Sequence, residues 1–187
     1  MTRVVYAILT YGREALRRKA RSVAGVTDEL RTLVRDMLAT MYAARGVGLA
    51  AEQIGREEAV CVIHVPPESE KPECVAINAV VSMPLVMFNP VITASTGHQR
   101  NEEGCLSFPD INAPITRAAQ VTVAYLDLEG QNQTATAQGL LARAIQHEID
   151  HLNGVLLVDR MSTAQRLAAA GKLRRLKRQV EDETEAA

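Results

Sequence analysis

The amino-acid sequence predicts an α+β fold in which antiparallel β-sheets pack around a central helix, with one further helix towards each end of the chain. Three observations support this prediction. Apolar residues recur at helical spacing in three long segments, near residues 27–44, 139–152 and 162–180. Short segments between them are β-branched or alternate at period two. Hairpin-like connections join these strands, which argues against a parallel α/β fold.

The composition is that of an ordinary globular protein. The chain has 187 residues, a net charge of −1 and three cysteines. The length allows one domain with an extension, and we expect a main domain at residues 1–165 and a C-terminal helix with an acidic tail, at 166–187, that extends the same domain. Three cysteines do not suggest a disulfide framework, and no apolar run approaches the roughly 20 residues of a membrane span. We therefore expect a cytoplasmic protein that binds neither DNA nor membranes. We also expect a monomer, although no feature of the sequence determines the oligomeric state.

The first predicted helix covers residues 27–44. Leucine, valine and methionine recur along it at helical spacing and give it one apolar face. Thr27 or Asp28 can cap its start, because a short side-chain oxygen accepts a hydrogen bond from an unpaired backbone N–H. Gly46 fits its end, since a glycine just beyond a helix adopts the left-handed conformation without strain.

The other segments are predicted from the same two patterns. We expect a short strand at 7–9, a loop or short surface helix at 13–21, an exposed loop at 66–78, and strands at 59–65, 85–88, 121–126, 133–137 and 155–158. The strands at 121–126 and 133–137 form a hairpin. Residues 91–94 continue the strand at 85–88 beyond a kink, because Pro90 cannot donate to a sheet ladder.

The segment 46–55 is rich in small residues without being polar. Its glycines and alanines allow the backbone to lie close to another group, such as a ligand, and Gln53 is the polar side chain near its end. A tight connection packed on the core would have the same composition. Both interpretations remain open from these residues alone.

The central helix at 139–152 carries the pattern H-E-x-x-H. His147 and His151 are four residues apart, so both imidazoles lie on one helix face and can hold one metal ion. Glu148 sits beside the first histidine, where it can handle a proton of a water molecule. Leu140 and Ala144 lie on the same face, which favours a buried cleft over an exposed charged surface.

Cys105 is the candidate third ligand. Glycine and polar residues surround it in Asn101–Pro109, whereas we interpret Cys61 and Cys74 as small hydrophobic residues. Two imidazoles and one thiolate suit Zn²⁺ or Fe²⁺, with a fourth position left for water.

Three stretches together resemble the peptide deformylase family. Residues 46–53 match its pattern G-x-G-L-A-A-x-Q, residues 103–107 match E-G-C-L-S, and residues 146–151 match Q-H-E-x-D-H. The motifs occur in the family's order, and the resemblance spans roughly residues 5–165. Proline is common in the family where Glu52 stands here, and we expect that position to lie outside the chemistry.

The resemblance implies a hydrolase that removes the N-formyl group from the N-terminal formyl-methionine of newly made polypeptides and releases formate. It implies one divalent metal ion, usually Fe²⁺ and replaceable by Zn²⁺ or Ni²⁺, bound by Cys105, His147 and His151. Glu148 would carry the proton from water to the leaving amine. The side-chain amide of Gln53 and the backbone N–H of Leu106 would donate to the developing oxyanion.

The resemblance and the helix spacing also imply a substrate pocket and a supporting ion pair. Gly48 would contact the peptide backbone, and an apolar slot for methionine would be formed by Val47, Leu140 and Ala144. Glu103 would anchor the cysteine loop, with Arg117 as its ion-pair partner.

The basic segment near the C-terminus has two interpretations. It contains Lys172, Arg174, Arg175, Lys177 and Arg178. The segment is either a solvated helix face or a surface that docks on ribosomal RNA, as in some members of the family.

Two other functions fit parts of the sequence. A metallopeptidase of the H-E-x-x-H type would not need the contexts of Cys105 and Gln53. A non-catalytic peptide-binding relative would be expected to lose Glu148 or Gln53, and both are present.

Overall fold

The computed structural model describes residues 3–185. Within that range the helices are α1 Asp28–Ala43, α2 Pro72–Asn78, α3 Gly139–Leu152, α4 Leu157–Arg160 and α5 Thr163–Glu185. The strands are β1 Gly48–Ala50, β2 Val60–Ile63, β3 Leu85–Thr96, β4 Gln99–Gly104, β5 Asn112–Arg117, β6 Gln120–Leu126 and β7 Asn132–Gln138. Short 3-10 helices occur at Glu14–Arg17, Ala51–Ile54 and Pro67–Ser69.

A five-stranded antiparallel sheet, in the order β1-β2-β3-β6-β7, forms the centre of the fold. Its strand β2 is buried on both faces, and its successive side chains point to opposite sides. Cys61 and Ile63 join the core cluster beneath α3, whereas Val60 and Val62 join the cluster beneath α1. The sheet therefore lies between these two helices, and the predicted α+β architecture is confirmed.

A smaller unit adjoins one edge of this core. The two-stranded sheet of β4 and β5 packs with α4 and α5 in a third cluster that includes Phe108, Ile115, Leu157 and Leu176. The C-terminal helix α5 therefore packs against the rest of the fold through its apolar side. No helix in the described part of the chain is both long and apolar enough to cross a membrane.

Several predicted elements are present with nearly the expected bounds. Helix α1 begins after Thr27, whose side chain accepts from the backbone N–H of Leu30 at 3.4 Å. Helix α3 and the β6–β7 hairpin are confirmed. The strand β3 continues beyond Pro90, and its register shifts between Phe88 and Val91.

Three predictions were wrong. Residues 7–9 form no strand; Leu9 makes one backbone hydrogen bond, to Gln53 at 2.7 Å, instead of a ladder. Residues 155–158 are not a strand, and α4 begins within them; a short apolar run has the same pattern in a buried helix. The segment 66–78 is not simply an exposed loop, because it contains α2 and buries Cys74.

The end of α1 also differs from the prediction. The left-handed residue is Arg45, with φ of 56°, and not Gly46. A Cβ at Gly46 would instead lie 2.7 Å from Leu106 Cδ1, so glycine is needed there for close packing against the cysteine loop. The strands β1, β4 and β5 had no clear periodic signal and were not predicted.

Candidate active site

Helix α3 places His147 in the wall of a cleft and His151 in a buried position beside it. One face of the helix is apolar and packs on the sheet through Leu141, Ile145 and Ile149, which directs the histidine face away from the sheet. The rings of His147 and His151 are 5.0 Å apart between centroids and inclined at 71°. Their position therefore follows from the apolar stripe of the helix and from the four-residue spacing.

Cys105 completes a cluster of three metal-binding groups. It follows the end of β4, and its Sγ lies 3.2 Å from Nε2 of His151. The ligand atoms of Cys105, His147 and His151 all lie within 4.8 Å of one another. A thiolate with two imidazoles is a donor set that suits Zn²⁺ or Fe²⁺, so these residues fit a divalent ion.

The electrostatic surroundings of His147 favour a positive charge. Burial lowers its pKa, but the sulfur of Cys105 and the carboxylate of Glu103 outweigh burial and raise the pKa well above its ordinary value. Burial lowers the pKa of the neighbouring His151 well below its ordinary value. A divalent cation held by these residues would supply the positive charge that the sulfur of Cys105 and the carboxylate of Glu103 favour beside His147.

Glu103 contacts Nδ1 of His147 and thereby orients its ring. Its Oε2 lies 3.3 Å from Nδ1 of His147, which leaves Nε2 of that ring for a metal ion. Arg117 donates to both Glu103 oxygens at 3.0 Å, so the ion pair expected from the sequence is present. Burial raises the pKa of Glu103, but the hydrogen bonds from His147 and Arg117 outweigh it and lower the pKa to about 2.

Glu148 lies against the small-residue segment. Its side chain is buried, and Oε2 has no hydrogen-bond partner among the described residues. Burial raises its pKa to about 7. A Cβ at Gly48 would collide with the Glu148 carboxylate, so glycine is required at that position for the close approach of this carboxylate.

Gln53 is held at both ends of its amide. Its Oε1 accepts from the backbone N–H of Ala50 at 2.9 Å. Its Nε2 donates to Ser107 Oγ at 3.1 Å and lies 3.7 Å from Cys105 Sγ. The amide N–H group is therefore fixed beside the candidate metal ligands, where it can donate to a substrate oxygen.

A cleft of about 450 Å³ opens above these groups. It is lined by the residues that the sequence assigned to catalysis and substrate binding, namely Val47, Gly48, Gln53, Cys105, Leu106, Leu140, Ala144, His147 and Glu148. Val47 is exposed at its rim, and Ala144 is buried in its wall. The three separated stretches therefore meet around one concave surface.

Arg143 is a site residue that sequence reasoning missed. It is buried, lines the cleft, and donates to the backbone carbonyl of Glu102 at 2.6 Å and to Glu103 Oε1 at 3.4 Å. It thereby ties α3 to β4 beside Cys105. The only available signal was an arginine between two alanines on an otherwise apolar stretch of the helix.

Comparisons with known proteins agree on one family. The family model described as polypeptide deformylase matches residues 5–167. The peptide deformylase of Nitrosococcus oceani is 48% identical over 159 residues, which cover 85% of this chain and 88% of that protein. The crystal structure of a peptide deformylase from Legionella pneumophila has a TM-score of 0.80 and 41% identity, covering 95% and 98% of the two chains. A Synechococcus elongatus peptide deformylase solved in complex with actinonin has a TM-score of 0.79 and 38% identity, covering 94% and 88%.

Proposed function

The chain belongs to the polypeptide deformylase family, and we propose on this premise that it hydrolyses the N-formyl group of N-terminal formyl-methionine in new polypeptides. The observation that carries the proposal is the convergence of Cys105, His147 and buried His151, two of which line the cleft, with Glu148 buried beside them. The products are formate and a free α-amine. We also propose that the C-terminal helix extends the same domain; the burial of Leu176 and Val180 supports this.

The metal ion is proposed to be Fe²⁺, held by Cys105, His147 and His151, with Zn²⁺ or Ni²⁺ able to replace it. When bound, the ion would polarise the formyl carbonyl and make a water molecule acidic enough to attack near neutral pH. Metal analysis of protein purified without oxygen tests this assignment. Iron as the main metal of that protein would support it. Activity regained by apoprotein with Fe²⁺ and not with Mg²⁺ would support the ligand set, because the thiolate and imidazoles disfavour Mg²⁺.

The protein side chains then move the proton and stabilise charge. Glu148 takes a proton from the attacking water and returns it to the leaving nitrogen as the carbon–nitrogen bond breaks. Its pKa of about 7 suits both steps, since the carboxyl can accept and donate near neutral pH. The Gln53 amide and the Leu106 backbone N–H donate to the oxygen that gains negative charge.

The substrate side chain is proposed to lie in the slot formed by Val47, Leu140 and Ala144, with Gly48 beside the peptide backbone. These residues line the cleft next to the metal ligands. Ala144→Trp would fill the slot, so binding of formyl-methionine peptides should be lost while the metal content is retained. An unchanged KM in this variant would contradict the assignment.

Formate release tests the activity. Iron-loaded protein, protected from oxygen, should release formate from formyl-Met-Ala-Ser, and Glu148→Ala should abolish the release. Glu68→Gln changes an exposed acid away from the cleft and should leave the rate unchanged. Absence of formate from the wild-type protein would refute the activity. Release of free amino acids from unformylated Met-Ala-Ser would indicate a metallopeptidase instead.

We also propose that the protein acts in the cytoplasm as a monomer and that α5 contacts the ribosome. Lys172 donates to the backbone carbonyl of Asp110, and Lys177 lies over the ring of Tyr11. Arg174 and Arg178 are exposed on the side of α5 opposite the buried Leu176 and Val180, which leaves them suited to phosphate contacts. We therefore place the docking surface on these two arginines.

Charge reversal tests the docking surface better than truncation, because truncation also removes buried core residues of α5. The double variant Arg174→Glu with Arg178→Glu should lose co-sedimentation with ribosomes at low salt. Lys19→Glu, an exposed charge change elsewhere, is the control. Unchanged co-sedimentation of the double variant would refute the proposal.

A further inference from the structure

Helix α3, which carries the metal ligands, has no cap from its own chain segment. Its N-cap residue is Gln138, and that side chain makes no capping hydrogen bond. The first backbone N–H groups of a helix have no partner within the helix and need one from elsewhere. The start of this helix also matters for substrate, because Leu140 lines the cleft.

Glu70 supplies the missing cap from 70 residues away in sequence. Its Oε2 accepts from the backbone N–H of Leu140 at 2.9 Å, and its Oε1 accepts from that of Leu141 at 2.7 Å. A carboxylate at this position also interacts favourably with the positive end of the helix dipole. One side chain thus pairs two backbone donors at the start of α3.

The Glu70 carboxylate is itself held in place. Asn78 donates to Glu70 Oε1 at 2.8 Å, and the same side chain exchanges two hydrogen bonds with the backbone of Gln138, at 3.0 and 3.1 Å. A Cβ at Gly139 would lie 2.5 Å from Glu70 Oε2 and 2.8 Å from Cys74 Sγ. Glycine is therefore needed at 139 so that the segment 66–78 can approach the helix.

We propose that Glu70 is a positioning residue for methionine recognition, acting through the first turn of α3. This inference rests on the proposed deformylase activity. Glu70 does not line the cleft, but the backbone of Leu140, a wall of the methionine slot, is bonded to it. His147 lies seven residues further along, about 10 Å by helix rise, and helix-end effects fade within one turn. The loss of Glu70 therefore disturbs the slot and spares the metal ligands.

Steady-state kinetics with two substrates test this role. Glu70→Ala should raise KM for formyl-Met-Ala-Ser severalfold, up to about tenfold if the whole cost of the lost helix cap falls on the slot, and change kcat less than about twofold. The KM for formyl-Gly-Ala-Ser, which has no side chain to fill the slot, should not change. Glu73→Gln alters an exposed acid on the same segment and is the control.

Spectroscopy separates positioning from general loss of structure. The absorption spectrum of the cobalt-loaded protein should be the same in Glu70→Ala and wild type, because the ligands are not displaced. Amide exchange at Leu140 and Leu141 should be faster in the variant. If Glu70→Ala does not fold, Glu70→Gln keeps the volume and one acceptor, and its KM should be intermediate.

The outcomes distinguish the two proposals. The role of Glu70 would be overturned by any of three results in Glu70→Ala: an equal rise in KM for both substrates, an altered cobalt spectrum, or an unchanged KM for formyl-Met-Ala-Ser. Absence of formate release from the wild-type protein would instead refute the activity on which this role depends.

Discussion

Replacing Glu52 by glutamine should change how the stability of the protein depends on pH. This side chain is 1% exposed, and neither carboxylate oxygen has a hydrogen-bond partner among residues 3–185. Burial raises its pKa from 4.5 to about 8. The folded protein therefore holds this proton more tightly than the unfolded chain, in which the carboxyl titrates near its ordinary value.

The sign and size of the Glu52 contribution to the free energy of unfolding follow from the linkage between proton binding and folding. Below pH 4.5 the group is protonated in both states and its contribution to stability is fully present. That contribution is lost as pH rises through about 8, and the interval from 4.5 to 8 corresponds to roughly 5 kcal/mol at about 1.4 kcal/mol per pH unit. Structural relaxation and water entry reduce this value, so we expect about 2–5 kcal/mol.

Chemical unfolding at pH 5, 7 and 9 measures the effect. Wild-type protein should lose more unfolding free energy between pH 5 and 9 than Glu52→Gln, by about 2–5 kcal/mol. Metal binding also depends on pH, and comparing the two proteins at a fixed metal concentration cancels that contribution.

Glu58 provides the matched control for this experiment. Burial raises its pKa, but the hydrogen bond from Arg56 and other contacts outweigh burial and lower the pKa below 4.5. Its stabilising contribution is therefore present above pH 4.5, so Glu58→Gln should not reduce the loss of stability at high pH. Parallel curves for wild type and Glu52→Gln, within about 0.5 kcal/mol from pH 5 to 9, would refute the burial argument.

Three further predictions concern the site itself. Gly48→Ala should lower kcat by at least about 100-fold with metal content unchanged, because the new Cβ displaces the Glu148 carboxylate; near-normal kcat would contradict this packing. Arg117→Met should destabilise the protein by about 3–5 kcal/mol at pH 7, measured by urea unfolding, since it leaves buried Glu103 without its main partner. The lowered pKa of Glu103 stabilises the fold above pH 4.5 and that contribution is lost as pH falls towards 2, so the variant should differ least from wild type in acid. Removal of the metal with a chelator should abolish activity. It should also make Cys105, which is only partly buried, reactive towards a thiol reagent. Cys105 should react more slowly in the metal-bound protein.

The local patterns of the sequence were sufficient for the three long helices α1, α3 and α5 and for the composition of the site. The apolar face of α3 and the spacing of His147 and His151 depend on residues within one or two helical turns, so both can be predicted from the sequence. Cys105 was identified by its polar neighbours, and the family resemblance joined these stretches before any distance was known.

Sequence patterns did not predict the elements whose structure depends on a partner elsewhere in the chain. Segment 66–78 has no periodicity, yet it forms α2 and supplies Glu70 to the start of α3. Strand β1 has only three residues, β4 is polar, and β5 contains a proline, so no pattern distinguishes them from a loop. Strand β1 is instead fixed by antiparallel pairing with β2, and β4 and β5 are fixed by pairing with each other.

The amino-acid sequence by itself determined the family motifs, the metal-binding residue types and the helix on which two of them lie. Only the tertiary structure decided that Glu52 is buried without a partner among the described residues, that Arg143 ties α3 to β4, and that Glu70 caps the helix. The physical reason is that helical periodicity is a property of neighbouring residues. Desolvation and ion pairing instead depend on which distant side chains the packed core brings together.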